Sequence, residues 1–431
     1  MKNNSNTRQN VDSYEKFILY GLMAFSVFSI LAYYYLAIKN DIVFSRMLQI
    51  EAIICIPLFF YSYKRNYSCY SIQTRRWAIG GILFYMGFEI MNTLLFASIH
   101  ESIISEVVFW FFFVAMFFMG SSEKYWSLFL KIGLIILFIT VLLSLNELLF
   151  SNFSYIRGEK DENSYLYKIQ AGFAPLELLL CYYLLKIKQY KRQALFVIFV
   201  FGFYLVLQFM FTKRLPLIRC VIVIAILMYV LKDSYKIGKS FVIMVMVFVT
   251  LLIAYIYFVP QQYSEATFGR FNQYGSTSST IEQDERYLIL NKAMGETFSS
   301  PRKIIFGHGL GGVATGYYYG KYIVVNGAEI PGLSSFEIGS AYLIFKYGII
   351  FYIIMYGYIF ILLTRYKKYK REPLAKACWL YLMVFFIMTS FGESFPSVRG
   401  VVSTMTLAGV MGYLSYFNYR KKYIVNIPDL K

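Results

Sequence analysis

Long apolar stretches separated by short polar segments dominate the chain and predict a bundle of membrane-spanning helices. About 20 consecutive apolar residues are enough to cross the hydrocarbon core as a helix. About twelve such stretches can be assigned, the first over Phe17–Ala37 and the last over Val401–Tyr416. Because lipid offers no hydrogen-bond partners to the backbone, each stretch is expected to be helical. The pattern predicts an all-α polytopic membrane protein with about twelve transmembrane helices.

The basic residues between these stretches predict the orientation of the helices. Five dense runs of lysine and arginine, around residues 64–76, 186–192, 232–239, 365–376 and 420–422, all follow even-numbered predicted helices and so fall on one side. Cytoplasmic loops carry an excess of positive charge, and one missed or invented helix would break this alternation. Both termini are therefore expected to lie in the cytoplasm.

One polar segment is much longer than the others and lies between the ninth and tenth predicted helices. Residues 261–339 contain charges, glycines, serines and only short apolar runs. An ordinary connection has about 4–6 residues, so this segment is expected to form one large loop on the outer face. With no internal repeat in the chain, residues 1–431 are expected to form a single transmembrane domain that carries this loop.

Composition and charge exclude several classes of protein. Of the 431 residues, 58% are hydrophobic and 15% are charged, which is far from a soluble globular domain. The net charge of +18 would suggest nucleic acid in a soluble protein, but here it lies in the topology-setting runs, so membrane lipids and not nucleic acid are expected partners. No metal-ligand spacing occurs among the Cys, His and acidic residues, so neither a metal nor another cofactor is expected.

A cationic group begins the eighth predicted helix on the outer side. Arg214 and Arg219 are five residues apart, and Lys213 precedes them. Guanidinium groups give fixed bidentate donors, so this group is a candidate site for phosphate. The alternative is that these side chains extend to the membrane interface.

The long loop supplies further arginines. Arg286 opens an apolar helical pattern over residues 285–294 that could pack on the membrane domain while the arginine faces a cavity. Arg302 lies further along the loop, as a second candidate. For both residues, a solvated position on the loop surface is the alternative.

The segment Gly307–Gly312 fits the pattern G-x-G-x-x-G, and residues 303–306 before it could form a strand. A dinucleotide site would need a cytosolic βαβ unit with a helix after the glycines and an acidic residue about 20 positions on. That context is missing. A turn whose backbone closely approaches a ligand or a helix end is the better interpretation.

Two residues of the loop are candidates for acid–base chemistry. Glu337 directly precedes the tenth predicted helix, where it could accept a proton from a sugar hydroxyl or simply pair with an arginine. His308 is the second candidate base, although a single loop histidine is more often structural.

Several short motifs together resemble one family. They are Phe211-Thr212-Lys213-Arg214, Arg286 upstream of Ser300–Gly309, and Glu337–Leu343 leading into Tyr347-Gly348-Ile349. With the topology, these motifs resemble the O-antigen polymerase (Wzy-type) and O-antigen ligase group. The ligases typically carry a His-Asn pair before the tenth helix, where this chain has Gly339-Ser340, so the resemblance favours the polymerases.

The resemblance implies a glycosyltransferase of the bacterial inner membrane. Such an enzyme polymerises oligosaccharide repeat units linked to undecaprenyl diphosphate, on the periplasmic face, for lipopolysaccharide or capsule-type polysaccharide biosynthesis. It implies that Arg214, Arg219 and Arg286, with Lys213 and Arg302, hold the diphosphate, and that Glu337 or else His308 is the base. A protein that regulates polysaccharide chain length is an expected further partner.

Two other activities remain as alternatives to polymerisation. One is a ligase-type transfer of finished glycan, and the other is a flippase or transporter for lipid-linked oligosaccharide. Transporters tend to carry charges at mid-membrane, broken helices and internal repeats. The charges singled out in this sequence cluster at the outer face instead.

Overall fold

The computed structural model describes a little over half of the chain. The described residues are 20–21, 57–96, 103–150, 175–210, 219–224, 285–316, 322–325, 328–333, 338–369, 372–391, 395–396 and 401–424. They are mostly helical, as expected. Most of the first predicted helix, all of the ninth, and the part of the long loop before residue 285 lie outside the described residues.

The longer helices are numbered in chain order. They are α1 (residues 57–66), α2 (Ile72–Phe96), α3 (Ile103–Met119), α4 (Glu123–Phe150), α5 (Pro175–Ile187), α6 (Lys191–Met210), α7 (Glu285–Phe298), α8 (Pro301–Phe306), α9 (Gly339–Leu363), α10 (Pro373–Phe391) and α11 (Val401–Ile424). Shorter helical pieces cover Tyr67–Cys69, residues 219–224 and Tyr366–Tyr369.

Four of the described helices can cross a membrane by their length and composition. They are Ile72–Phe96, Glu123–Asn146, Gly339–Leu363 and Pro373–Ser390, which match the third, fifth, tenth and eleventh predicted spans. The protein is therefore a helical membrane protein. The count of twelve spans, the orientation and the periplasmic position of the loop stay predictions.

The tightest helix packing joins α3 to α11. Gly412 of α11 lies against the backbone of Phe117, and Gly409 lies against the ring of Tyr125 at the start of α4. Small residues at a helix interface let two backbones approach closely, which is how helices gain packing energy in lipid. Phe117 and Tyr125 both belong to the main buried core of the bundle.

The long loop packs on α9 through a small apolar cluster of its own. Ile289 and Ala293 of α7 contact Ala341 and Phe345 of α9, together with Ala314. The predicted helix over residues 285–294 is thus confirmed, and it does pack against the membrane domain. Burying this apolar face fixes α7 against the N-terminal end of α9.

The loop also contains elements that differ from the expected ones. Residues 303–306, considered as a strand, belong to helix α8, which Pro301 begins at the first helical position, where its missing N–H costs nothing. A three-stranded antiparallel sheet follows in the order β1 (Ala314–Thr315), β3 (Ala328–Leu333), β2 (Tyr322–Val325). The described residues as a whole are consistent with the all-α class, and this small sheet is a local exception that the sequence did not predict.

Candidate functional site

Helix α9 is broken at Gly348, in its N-terminal half. The glycine-rich turn after α8 packs into this break. Gly348 has φ 78° and ψ 176°, so the regular hydrogen bonds of the helix stop there. The carbonyl of Phe345 accepts the backbone N–H of His308 at 2.9 Å, and that of Lys346 accepts the N–H of Gly309 at 3.0 Å. Carbonyls that the break would leave unpaired in an apolar environment are satisfied by the loop.

Glycines make this contact possible. Gly307 and Gly309 have positive φ angles of 69° and 89°. A Cβ on Gly307 would lie 2.6 Å from the backbone nitrogen of Gly348, and a Cβ on Gly309 would collide with Thr93 of α2. The expectation of a turn whose backbone closely approaches a helix end is confirmed, and the helix end is the break in α9.

A buried ion pair lies beside the break, on its N-terminal side along α9. The Lys346 ammonium is 3.5 Å from Oε1 of Glu106 in α3, and its side chain is only 2% exposed. Tyr347 donates its hydroxyl to Oε2 of the same carboxylate at 2.6 Å, and Tyr342 donates to Oε1 at 3.4 Å. Trp110 in turn donates to the Tyr347 hydroxyl at 3.2 Å. Both carboxylate oxygens are thus satisfied, as a buried charge requires.

A second polar chain joins α2 to the loop. Asn92 donates its side-chain amide to Oε2 of Glu89 at 2.9 Å, and its carbonyl oxygen accepts from Nη1 of Arg302 at 2.8 Å. The Arg302 guanidinium also lies 4.8 Å from the ring centroid of Phe96, one turn further along α2. The arginine is half-buried, whereas Glu89 is fully buried.

The cations around this turn are not equivalent. Lys303 pairs with Glu296 at 3.1 Å, and Lys346 pairs with Glu106. Among the described residues, Arg302 contacts no carboxylate directly and uses one of its five N–H donors. Within the described part of the chain, the remaining donors of Arg302 are left for an anion.

His308 is buried in surroundings that suit a neutral ring. Its Nε2 lies 3.4 Å from the hydroxyl oxygen of Thr297, and its ring stacks on Phe345 with centroids 4.3 Å apart. Thr297 donates its own proton to the carbonyl of Ala293, so Nε2 of the histidine is the donor between them. Burial first, then the Lys303 charge, lowers the pKa of His308 to about 4. A group this reluctant to take a proton is a weak general base at neutral pH.

The other predicted site residues are only partly described. Arg219 is 4% exposed, so it does not extend to the surface. Arg286 is described only as a backbone position at the start of α7. Three of the predicted site residues lie outside the described residues: Lys213, Arg214 and Glu337.

Four residues of the site were not singled out in the sequence. Glu89, Asn92, Glu106 and Lys346 stand within or beside long apolar stretches. An ionisable residue inside a membrane helix is costly, so it marks a functional site by default. The sequence therefore contained a signal for these ionisable residues. It did not show that Glu106 pairs with Lys346, which is 240 positions further along the chain.

The described residues hold no group of three or more His, Cys, Asp or Glu side chains that could bind a metal ion. Compared with protein-family models, curated proteins and solved structures, the chain matches none. The fold and site therefore define a helical membrane protein whose loop is anchored in a broken helix beside a half-buried arginine.

Proposed function

We propose that this chain is an inner-membrane glycosyltransferase that polymerises undecaprenyl-diphosphate-linked oligosaccharide repeat units into O-antigen or capsule-type polysaccharide, without a metal. The observation that carries the proposal is the pair of contacts that Arg302 makes with Asn92 and Phe96 at the end of α2. The charge pattern of the sequence predicts that this end of α2 lies at the outer face. The resemblance of the short motifs to O-antigen polymerases supports the same function.

A guanidinium held in this way suits a diphosphate. Asn92 fixes one edge of the Arg302 group, and the ring of Phe96 covers part of it. Arginine stays charged at all relevant pH values and can donate two parallel hydrogen bonds to phosphate oxygens. The diphosphate of a polyprenyl carrier lies at the membrane surface, which is the depth expected for the end of α2.

The proposed reaction transfers the growing glycan to one new repeat unit. The bond between the anomeric carbon of the growing glycan and the diphosphate oxygen breaks, and undecaprenyl diphosphate leaves. A hydroxyl oxygen of the new unit forms the glycosidic bond, and its proton passes to Glu337. Cations at the diphosphate would stabilise the charge that develops on the leaving group.

The remaining residues take supporting roles in this proposal. Arg214, Arg219 and Arg286, with Lys213, would complete the diphosphate site around Arg302. His308 is the reserve candidate for the base, and its burial and lowered pKa make Glu337 the stronger one.

A flippase for the same lipid-linked oligosaccharide is the second candidate function. The break in α9 at Gly348, next to the buried Lys346 and Glu106 pair, is a feature that transporters share. Gly348 lies in the first half of α9, nearer the end expected outside than a site at mid-membrane would be. The contacts of Arg302 with Asn92 and Phe96, at the end of α2 expected outside, favour chemistry at the outer face over passage through the membrane.

Deletion of the gene, followed by a glycan profile on a gel, separates these functions. Loss of a polymerase leaves single repeat units on the acceptor, whereas loss of a ligase or a flippase leaves none. Purified protein in detergent, supplied with lipid-linked repeat units, should build a ladder of products. A flippase would build none there, and a normal glycan ladder in the deletion strain would overturn the proposal.

Arg302→Ala tests the observation that carries the proposal. The variant should lose most of the ladder at wild-type expression, since the diphosphate contact is removed. Arg192→Ala is the matched control, because Arg192 is an exposed arginine at the start of α6, at the end expected inside. Full polymer from Arg302→Ala would remove this residue from the site.

A further inference from the structure

Glu89 is a buried carboxyl group whose position in the structure needs an explanation. It lies in the apolar helix α2 and is 0% exposed. Its Oε1 atom has no hydrogen-bond partner among the described residues. An incompletely satisfied carboxyl group is costly in lipid-like surroundings, so it is expected only where it serves a function.

Nearby polar groups remove only part of this cost. The Tyr85 hydroxyl, one turn earlier on α2, interacts with the Glu89 carboxyl group, but its own proton goes to the carbonyl of Tyr347 at 2.6 Å. By contrast, both oxygens of Glu106 accept hydrogen bonds. The described contacts therefore connect Glu89 to a positive charge only through Asn92 to Arg302.

The amide of Asn92 fits between these two groups in one orientation. A guanidinium can only donate hydrogen bonds, so the amide oxygen must face Arg302. The amide nitrogen then faces Glu89, whose oxygen accepts at 2.9 Å. The same nitrogen lies 3.4 Å from the carbonyl of Phe306, at the end of α8. A carboxylate behind the amide thus selects the orientation that holds the arginine.

We propose that Glu89 is a positioning residue for Arg302. Its buried carboxylate fixes the Asn92 amide, and Asn92 holds one edge of the guanidinium so that the other donors face the diphosphate. Glu89 does not touch substrate, because it is fully buried. The role in diphosphate binding rests on the proposed function, whereas the connection of Glu89 to Arg302 rests on the contacts above.

Binding of inorganic pyrophosphate to the purified full-length protein tests this role. Glu89→Gln keeps the shape of the side chain but removes its negative charge, so the hydrogen bond from Asn92 is no longer charge-assisted and holds the amide less firmly. We expect pyrophosphate to bind about tenfold more weakly, as for the loss of one hydrogen bond that supports a charged group. Glu123→Gln is the control, since Glu123 is an exposed carboxylate at the far end of the bundle.

A double-mutant cycle distinguishes positioning from a general effect on the fold. Arg302→Gln should weaken pyrophosphate binding, and adding Glu89→Gln to it should cause no further loss, because the residue through which Glu89 acts is gone. Equal losses from Glu89→Gln in both backgrounds would overturn the proposal. So would wild-type binding by Glu89→Gln, or a wild-type protein that binds no pyrophosphate.

Asn92→Leu provides a second route if Glu89→Gln does not fold. It breaks the same connection in the middle while nearly preserving volume, and should weaken pyrophosphate binding to a similar extent. Unchanged binding in this variant would overturn the positioning role. The proposed function fails separately, if wild-type protein builds no ladder from lipid-linked repeat units. A ladder that Glu89→Gln builds at the wild-type rate counts against the positioning role alone.

Discussion

A Cβ atom on Gly307 would lie 2.6 Å from the backbone nitrogen of Gly348, so the loop and the broken helix meet backbone to backbone. Both glycines also have positive φ angles, which other residues adopt only with strain. This contact holds His308 and Arg302 next to the membrane helices. Its loss should loosen the loop as a whole.

We expect Gly307→Ala to lower the free energy of unfolding by about 2–4 kcal/mol, from backbone strain and the lost close contact. Thermal unfolding in detergent, followed by tryptophan fluorescence, measures this loss. Gly295→Ala is the matched control, because nothing lies within 4 Å of a Cβ there and alanine favours the helix α7. Equal melting temperatures for the two variants would contradict the contact.

Lys346→Met should destabilise the protein more strongly than an ordinary surface change. It leaves Glu106 without its ammonium partner in a largely buried position, and removing one member of a buried pair costs about 3–5 kcal/mol. Adding Glu106→Gln to this variant should restore part of the stability, because the uncompensated charge is gone. Thermal unfolding of both single variants and the double variant checks this. Strictly additive losses would show that the two groups do not interact.

The lowered pKa of His308 predicts that the stability of the protein depends on pH. The pKa of His308 is about 4 in the folded protein, against an ordinary value of 6.5 for an exposed histidine. The unfolded chain therefore binds the proton first, so stability is fully present above pH 6.5 and falls as the pH drops from 6.5 towards 4. The loss should reach about 3 kcal/mol.

His308→Gln should flatten this part of the stability curve while keeping a polar group near Thr297. The test is the melting temperature of both proteins measured between pH 4 and pH 7. Parallel curves would mean that His308 does not carry the effect.

Arg302→Lys should lose at least about tenfold in polymerisation rate although it keeps the positive charge. Lysine cannot hold the Asn92 carbonyl with one edge and a diphosphate with the other, because its charge is a single point on a flexible stem. Initial rates with lipid-linked repeat units measure the loss, with Arg192→Lys as the control. A lysine variant that works at the wild-type rate would show that only net charge matters.

The sequence predicted the helices of the described part of the fold well, because a helix follows from the hydropathy and periodicity of its own segment. Helices over Glu123–Phe150 and Pro373–Phe391 follow from long apolar runs, and the helix from Glu285 follows from its apolar spacing. The sheet over Ala314–Leu333 was not predicted. Its strands are short, and their pairing depends on contacts between segments and not on either segment alone.

The candidate site was predicted less completely. Arg302 and His308 were both identified as candidates, but the sequence did not indicate that the His308 ring is buried against Phe345, where burial lowers its pKa. Glu89 and Lys346 were not predicted as site residues because they lie inside apolar runs, away from the helix ends where the candidate charges cluster. Charges inside apolar runs carried the same information, since lipid makes each of them costly.

The sequence by itself determined that this is a helical membrane protein, because the amount and spacing of apolar residues leave the backbone no other way to satisfy its hydrogen bonds in lipid. It also indicated that Gly307–Gly312 forms a close backbone approach. Only the tertiary structure decided what the turn approaches, and which acid compensates each cation. These contacts join residues that are far apart in the chain, such as Asn92 and Arg302, which are 210 positions apart. The local sequence around each residue does not show which distant residue lies beside it.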